Sequence, residues 1–385
     1  MPSTSPTVQI IGAGPTGSLA ALALAEQGCF VCLRDLQSAT ALQSRSRAYA
    51  ITHSSRRLLC RLGLWADLLE HLVPFDRLDL RDQATGQRAV FRLDDLAGSN
   101  QDHGAIGWIL DHRPLMTVLL ERLNQHSRVQ LSLGEQPSHE DDDSTLPSLE
   151  VAADGPRSLT RTSWGIGVWR WPYRQGCLTA KVVLRGVRAG TAYELFRPEG
   201  PMAVLPLGGE TYQVVWSAPL ARCQQRAALP AALFLDQLAA VLPHGVQPDL
   251  LLDQPAAFPQ EWMLSRRFNR GTGVLIGEAA HRCHPVGGQG LNLCWRDVED
   301  LVRTVGSTSN PRRMAGRYSR RRIIDVLLVG VATDVLVRLF SNRQPVLLPL
   351  RWLSIQALAR VGFLRRFSLR AMTDGPLQLC RSLPD

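Results

Sequence analysis

The sequence predicts an α/β chain: a parallel sheet flanked by helices, interrupted by an inserted antiparallel β-sheet and followed by a helical tail. Three observations carry this. Residues 7 to 35 read as strand, glycine turn, helix and strand. Residues from about 164 to 220 switch to short β-rich segments, and residues 272 to 305 return to a buried strand followed by a helix.

The first unit is "TVQIIGAGPTGSLAALALAEQGCFVCLRD". An apolar run leads into Gly12, Gly14 and Gly17, a helix with apolar residues at helical spacing follows, Gly28 stops it, and a second apolar run ends at Asp35. The G-x-G-x-x-G spacing has a mechanism. The first glycine permits the tight turn, the second lets the backbone approach a diphosphate, and the third lets helix and strand pack closely. The helix N-terminus then offers unpaired N–H groups and about half a positive charge. Asp35 is placed to hydrogen-bond a ribose hydroxyl, whereas Arg34 beside it would suit a 2′-phosphate. This is a Rossmann-like dinucleotide unit, open at this point to NAD or FAD. Cys29 and Cys32 form a C-x-x-C inside the strand-like "CFVCL"; a redox pair normally opens a helix, so two inert thiols are expected.

Helical patterns follow at 54 to 71 and 112 to 126, the second introduced by Asp111 with Pro114 in its first turn. The acidic "GEQPSHEDDDSTLPS", 134 to 148, reads as a solvated surface loop. "CLTAKVVL", "MAVLPL" and "TYQVVW", with turn signals between them, predict the inserted sheet. In the tail, "IIDVLLVGVATDVLVRLF" is interrupted by Asp325, Asp334 and Arg338, too many charges for a membrane span. "VLLPLRWLSIQALARVGFLRRF" mixes Leu, Trp and Phe with Arg, which fits an interfacial helix and a helix packed on the rest of the protein equally well. The expected units are 1–75, 106–162 and 262–310 for the dinucleotide domain, 76–105 and 163–261 for the inserted sheet, and 311–385 for the helical tail.

At 385 residues, 45% hydrophobic and 20% charged, the chain is long enough to bury a sizeable globular core. Its formal charge is +9 with Lys181 the only lysine, and no aromatic-interleaved basic patch accompanies that charge, so no nucleic-acid partner is expected. Eight cysteines without a framework suit reduced thiols, and the N-terminus lacks a secretory pattern, so a cytoplasmic location is expected.

"GEAAHRCHPVGGQG", 277 to 290, places His281, Cys283 and His284 near Glu278. A metal would need a fourth ligand in a tetrahedral arrangement, which the spacing does not supply, so no metal is expected. A glycine-rich turn before a helix instead brings main-chain N–H groups close to a bound cofactor.

Taken with "SRAYAIT" (46 to 52), "VAADGPRS" (151 to 158), "WPYRQ" (171 to 175), "GPMAVLPL" (200 to 207), "VLIGEAAHRCHPVGGQGLN" and "TDVLVRLFS" (333 to 341), nearly the whole chain resembles the flavin-dependent aromatic hydroxylases of the para-hydroxybenzoate hydroxylase fold, and within them the UbiH-type ubiquinone-biosynthesis hydroxylases. Two departures stand out: Ala152 where the family usually has glycine, and Glu278 where it has aspartate.

The resemblance implies a Rossmann-like FAD-binding domain with a glutathione-reductase-like sheet, FAD as cofactor, and NAD(P)H as a transient co-substrate. It implies a monooxygenase in which molecular oxygen forms a flavin C4a-hydroperoxide that an electron-rich ring attacks, with a prenylated phenol or quinone precursor as substrate. Cofactor contacts are then expected from Asp154, Gly155, Gly277, Glu278, Pro285, Gly287, Gly288, Gln289, Gly290, Leu291 and Asn292, with Arg47 and Arg113 as flavin-side candidates. Pro285, Gly288 and Tyr173 are the expected catalytic positions, with Trp171 and Gln175 beside Tyr173 on a sheet roofing the ring. The same resemblance leaves room for a prenyl-chain reductase or a non-catalytic scaffold, the latter on account of Glu278 and Ala152. It further implies a homo-oligomer or a quinone-biosynthesis complex, and a peripheral contact with the inner face of a membrane through the tail.

Overall fold

The computed structural model describes residues 7–96, 101, 103–134, 148–307 and 310–376. The predicted acidic loop, apart from its two end residues, lies outside the described residues.

Thr7–Ile11 and Phe30–Asp35 pair in parallel, with Val8 opposite Val31 and Ile10 opposite Leu33. All four side chains are buried, so the alternation of apolar residues sets the register. Leu149–Ala152 joins the other side of Thr7–Ile11, Val129–Leu133 joins Phe30–Asp35, and Gly273–Leu275 extends the far edge, all in parallel. The helix Pro15–Glu26 crosses between the first two strands and is buried from Gly17 to Ala25. It packs against the helices His112–Gln125 and Gln289–Val305; its run of small residues lets three layers approach closely. Asp111 caps His112–Gln125 as expected. The predicted single helix at 54 to 71 is instead His53–Arg61 and Leu64–Leu68, because Gly63 between them takes a left-handed φ of 67°.

The second sheet is built on the 18-residue strand Val168–Arg185, flanked antiparallel by Thr211–Pro219 and Ala256–Ser265. Met202–Gly208, Thr191–Phe196, Arg77–Asp82 and Arg88–Arg92 continue it outward. One pairing departs from the antiparallel expectation: Thr191–Phe196 runs parallel to Arg77–Asp82. The two strands lie far apart in the chain, so no hairpin dictates their direction. A small third sheet, Ala48–Ile51 and Leu72–Phe75 on either side of Gly107–Asp111, packs against Met202–Gly208 of the second sheet.

The tail forms Pro311–Phe340, Leu348–Arg360 and Gly362–Asp374. Arg351, fully buried, donates to the carbonyls of Leu339 at 2.6 Å and Asn342 at 2.9 Å and so closes the C-terminal end of the long helix. No single helix among the described residues is long and apolar enough to cross a membrane. Of the tail's apolar side chains, Ile355 and Leu369 are buried, whereas Trp352, Leu353 and Phe363 face outward. Cys32 on Phe30–Asp35 and Cys29 just before it are unpaired, and burial raises the pKa of Cys29.

Candidate active site

Two glycine turns meet at one cavity. In the first, the three glycines are not equivalent. A Cβ on Gly12 would lie 2.5 Å from the Ala153 carbonyl oxygen, and one on Gly17 would land on the Gly12 carbonyl. Above Gly14 there is open space, with no heavy atom within 4 Å of where a Cβ would sit. Gly12 and Gly17 thus let protein pack on protein, and Gly14 leaves the face beside the helix N-terminus free for a ligand. Asp35 accepts from Ala13 N at 2.7 Å and Gln37 N at 2.8 Å, which draws the end of the second strand against this turn.

The second turn is pressed directly onto the first. A Cβ on Gly277 would stand 3.0 Å from Thr16, and the Trp295 indole donates to the Pro15 carbonyl at 3.3 Å. Gly287 and Gly288 take left-handed φ values of 70° and 65°, which turn the chain into the helix Gln289–Val305. Asn292 clamps the turn from behind, donating to the carbonyls of Ala50 at 2.7 Å and Gly288 at 2.9 Å while accepting from Ser55 Oγ at 2.7 Å.

The cavity has a volume of about 700 Å³. Its cofactor end is formed by Gly14, Pro15, Thr16, Gly155 and Arg47 on one side and Glu278, Pro285, Gly287, Gly288, Gln289, Gly290 and Leu291 on the other. Burial works against the charge on Arg47, but Tyr49 and Glu278 outweigh it and raise its pKa. Glu278 lines the cavity and, among the described residues, has only a long ion-pair contact to Arg282, at 3.9 Å. Asp154 sits at the edge: one carboxylate oxygen accepts from Thr160 N at 3.0 Å, and the other is buried without a hydrogen-bond partner. An open glycine face at a helix N-terminus, a partnerless carboxylate oxygen for a ribose-type hydroxyl, and a glycine turn for a planar ring are what FAD requires of a site.

Several expected site residues are placed elsewhere. Arg113 is exposed on the first turn of its helix and does not line the cavity; its neighbour His112 takes the inward position, held by Tyr49 Oη at 2.9 Å and the Leu42 carbonyl at 2.7 Å. Tyr173 does not line the cavity either. Its ring meets His284 edge-on at 5.2 Å, so it buttresses the Pro285–Gly288 turn from behind, and burial raises the pKa of its hydroxyl. Trp171 is exposed against Trp262, and Gln175 donates to the Glu199 carbonyl. The strand slips register between Pro172 and Gly176, where proline cannot donate to the ladder, and this segment leaves the roof to others. Gly12, Gly17, Asp35, Gly277 and Asn292 shape the site without lining the cavity. His281 lies on the two-residue strand His281–Arg282 and is bonded to Asp297 at 2.7 Å.

Two functional residues escaped the sequence reading. Asp297, fully buried, accepts from Gly277 N, His281 Nε2 and Arg322 Nε, each at 2.7 Å, and so anchors the second turn. Burial alone would raise its pKa, but His281 and Arg322 prevail and lower it. Its signal was an acid on the buried face of an amphipathic helix just after the glycine turn. Glu194 lies in the roof itself. It is 8% exposed on Thr191–Phe196, where every residue is buried, and accepts from Gly287 N at 3.4 Å. Burial pushes its carboxyl up to about 7, only partly offset by the Gly287 N–H.

The comparisons with known proteins agree with this geometry. A family model described as FAD binding domain matches residues 5–322. Ubiquinone hydroxylase UbiL of Rhodospirillum rubrum is 32% identical, over 98% of this chain and 93% of that one. The 3-demethoxyubiquinol 3-hydroxylase of Escherichia coli is 29% identical, over 94% and 97%. Among solved structures, Klebsiella pneumoniae HpxO complexed with FAD and uric acid superposes with a TM-score of 0.73 at 19% identity, covering 97% of both chains. PqsL of Pseudomonas aeruginosa, a probable FAD-dependent monooxygenase, gives a TM-score of 0.73 at 19% identity, over 92% and 100%. With the matched span running from the first glycine turn through the second and its Arg322 anchor, the chain belongs to the FAD binding domain family.

Proposed function

We propose that this protein is an FAD-dependent monooxygenase that uses NAD(P)H and molecular oxygen to hydroxylate the ring of a prenylated phenol or quinone precursor. The carrying observation is the single cavity: one end is built from turns that fit FAD, and the other is an apolar chamber open toward the tail. Gly14, Asp154, Glu278 and the Pro285–Gly290 turn would hold the cofactor. Bound FAD supplies the redox and oxygen chemistry that no side chain here can perform. The chain's own work is to bind, orient and exclude water. Phe75, Leu78, Leu80, Phe91 and Leu205 give the ring an apolar seat, and the N–H groups at the start of Gln289–Val305 favour negative charge at the cofactor end. The relatives reported above carry hydroxylase names, which leaves the chain-reductase and scaffold readings without support.

The tail supports the lipophilic part of the reading. Val335, Leu336 and Phe367 line the cavity and are also exposed, so the chamber opens among apolar side chains at the surface. Trp352, Leu353 and Phe363, 45, 58 and 72% exposed, extend that surface, with Arg360, Arg366 and Arg370 nearby in sequence. Such a face suits the headgroup boundary of an anionic bilayer, and it supports the reading of an enzyme that works at the inner face of a membrane. Assembly as a homo-oligomer or within a quinone-biosynthesis complex belongs to the same reading and is read by light scattering of the FAD-loaded protein.

The test is turnover of a short-chain 2-prenylphenol by FAD-loaded protein with NAD(P)H. A product heavier by one oxygen atom, labelled from ¹⁸O₂ and absent under anaerobic conditions, is expected. Saturation of the prenyl chain without oxygen uptake would instead establish the reductase.

A further inference from the structure

We infer that Glu194 is a catalytic residue, the acceptor of the proton from the substrate's ring hydroxyl. This rests on the aromatic-hydroxylase reading above. The other acids taken out of water are compensated by neighbours. Asp79 is closed by Arg81 and Arg88, Asp95 by Arg365, Asp374 by Arg57, Asp325 by Arg296 and Arg322, Asp297 by Arg322 and His281, and the half-buried Glu199 by Arg197, Arg222 and Arg226, while Asp82, without an ion pair among the described residues, accepts from Thr85 Oγ1 at 2.6 Å and Ala84 N at 3.4 Å. Each is a carboxylate taken out of water and compensated. Glu194 has no ion pair among the described residues; its one hydrogen bond is the long one from Gly287 N. It is also the buried acid that looks into the cavity. Ala192, Glu194 and Phe196 share one face of their strand and line the roof with Ala203 and Leu205 of the next strand. A lone carboxyl in that apolar wall costs stability, which its own surroundings do not return.

The position gives it a task. Gly287 belongs to the turn assigned to the ring of the cofactor, so a group within reach of Glu194 lies beside that ring. A phenol there breaks its O–H bond, the proton moves to a Glu194 carboxylate oxygen, and the electron pair stays on the ring oxygen. The ring becomes richer in electrons where it must take up oxygen, and the proton returns once the ring regains aromaticity. A carboxyl raised by burial to about 7 is matched to this exchange near neutral pH. The ionisable groups on the other walls, Arg45, Arg47, Tyr49, Glu278, His281 and Arg282 with the thiols of Cys177, Cys283 and Cys294, form no pair with Glu194. Burial pushes Cys177 and Cys283 up to about 12, so neither thiol competes for the proton.

The experiment compares FAD-loaded wild type, Glu194→Gln and Glu194→Asp. The probes are a short-chain 2-prenylphenol and its methyl ether, with binding read from the flavin absorbance. Wild type is expected to prefer the phenol by about 10-fold or more, and Glu194→Gln to lose most of that preference. Turnover in Glu194→Gln falls by about 100-fold or more with its pH dependence flattened near neutrality, while FAD affinity holds and melting temperature does not fall. Glu194→Asp recovers part of both. An unchanged preference and pH profile in Glu194→Gln overturns the assignment, as does a loss that merely follows melting temperature or FAD affinity. If wild type binds both probes equally yet hydroxylates the phenol, the assignment falls and the hydroxylase reading stands; if it neither binds nor turns over either, both fall.

Discussion

The two glycine turns look alike in sequence and work differently. In the first, Gly12 and Gly17 are demanded by neighbouring protein and Gly14 by nothing among the described residues. In the second, Gly287 and Gly288 are demanded by backbone handedness, and the turn is held in place by Asn292 and Asp297 rather than by a tightly packed βα unit. The difference teaches that glycines in one motif separate into those that make the fold and those that leave room for the ligand. It also implies that the diphosphate end is stiff, whereas the ring end depends on a network of buried polar groups.

Substitutions break this contrast in a defined order. Gly17→Ala has the largest effect, because its methyl meets a carbonyl fixed in the core; a loss of about 3 kcal/mol or more is expected in denaturant melts. Gly288→Ala comes next. The left-handed φ and a Cβ only 2.8 Å from that of Ala50 together cost about 2 kcal/mol, with weakened FAD binding. Acid should then loosen the second turn more than the first. Burial lowers the His284 pKa to about 3, against 6.5 for the ordinary group, so the folded protein refuses a proton that the unfolded chain accepts. The stability from this group is complete above pH 6.5 and falls by about 1.4 kcal/mol per pH unit as pH drops toward 3. Glu or Asp titrations overlay it, so the comparison is with His284→Gln, whose melts should decline less steeply over pH 6.5 to 4.5. Gly14→Ala has the smallest effect on stability, within about 0.5 kcal/mol, since its φ of −67° suits any residue, yet it should weaken FAD binding by about 10-fold. Instability of Gly14→Ala equal to that of Gly17→Ala would erase the distinction.

The cofactor end was legible because its chemistry is written in neighbouring residues. Glycine spacing reports a local backbone demand, and the parallel strands followed from continuous apolar runs; Asp35, expected on a ribose hydroxyl, instead accepts from Ala13 N and Gln37 N, and the Asp154–Gly155 pair came from the family resemblance. The substrate end is assembled across strands from distant parts of the chain. Glu194 sits in "TAYELF", where nothing local marks it as the uncompensated acid, and Tyr173 was assigned to the roof because the bulge at Pro172 could not be foreseen. Arg113 failed for a related reason: adjacent residues on a helix face about 100° apart, and His112 rather than Arg113 turned inward.

The tail is tested without deletion, since Ile355, Leu358, Leu369 and Met372 wall the cavity. Leu353→Ser with Phe363→Ser, both at exposed positions, should reduce sedimentation with anionic liposomes while FAD binding is retained.

The most direct measurement is a structure of the protein with FAD bound. The account predicts the diphosphate at the open face of Gly14 and the edge of the ring system along Pro285–Gly290, with Asp154 and Glu278 on hydroxyls between them. FAD bound with its ring away from the second turn, or a purified protein that takes up no FAD, would contradict it.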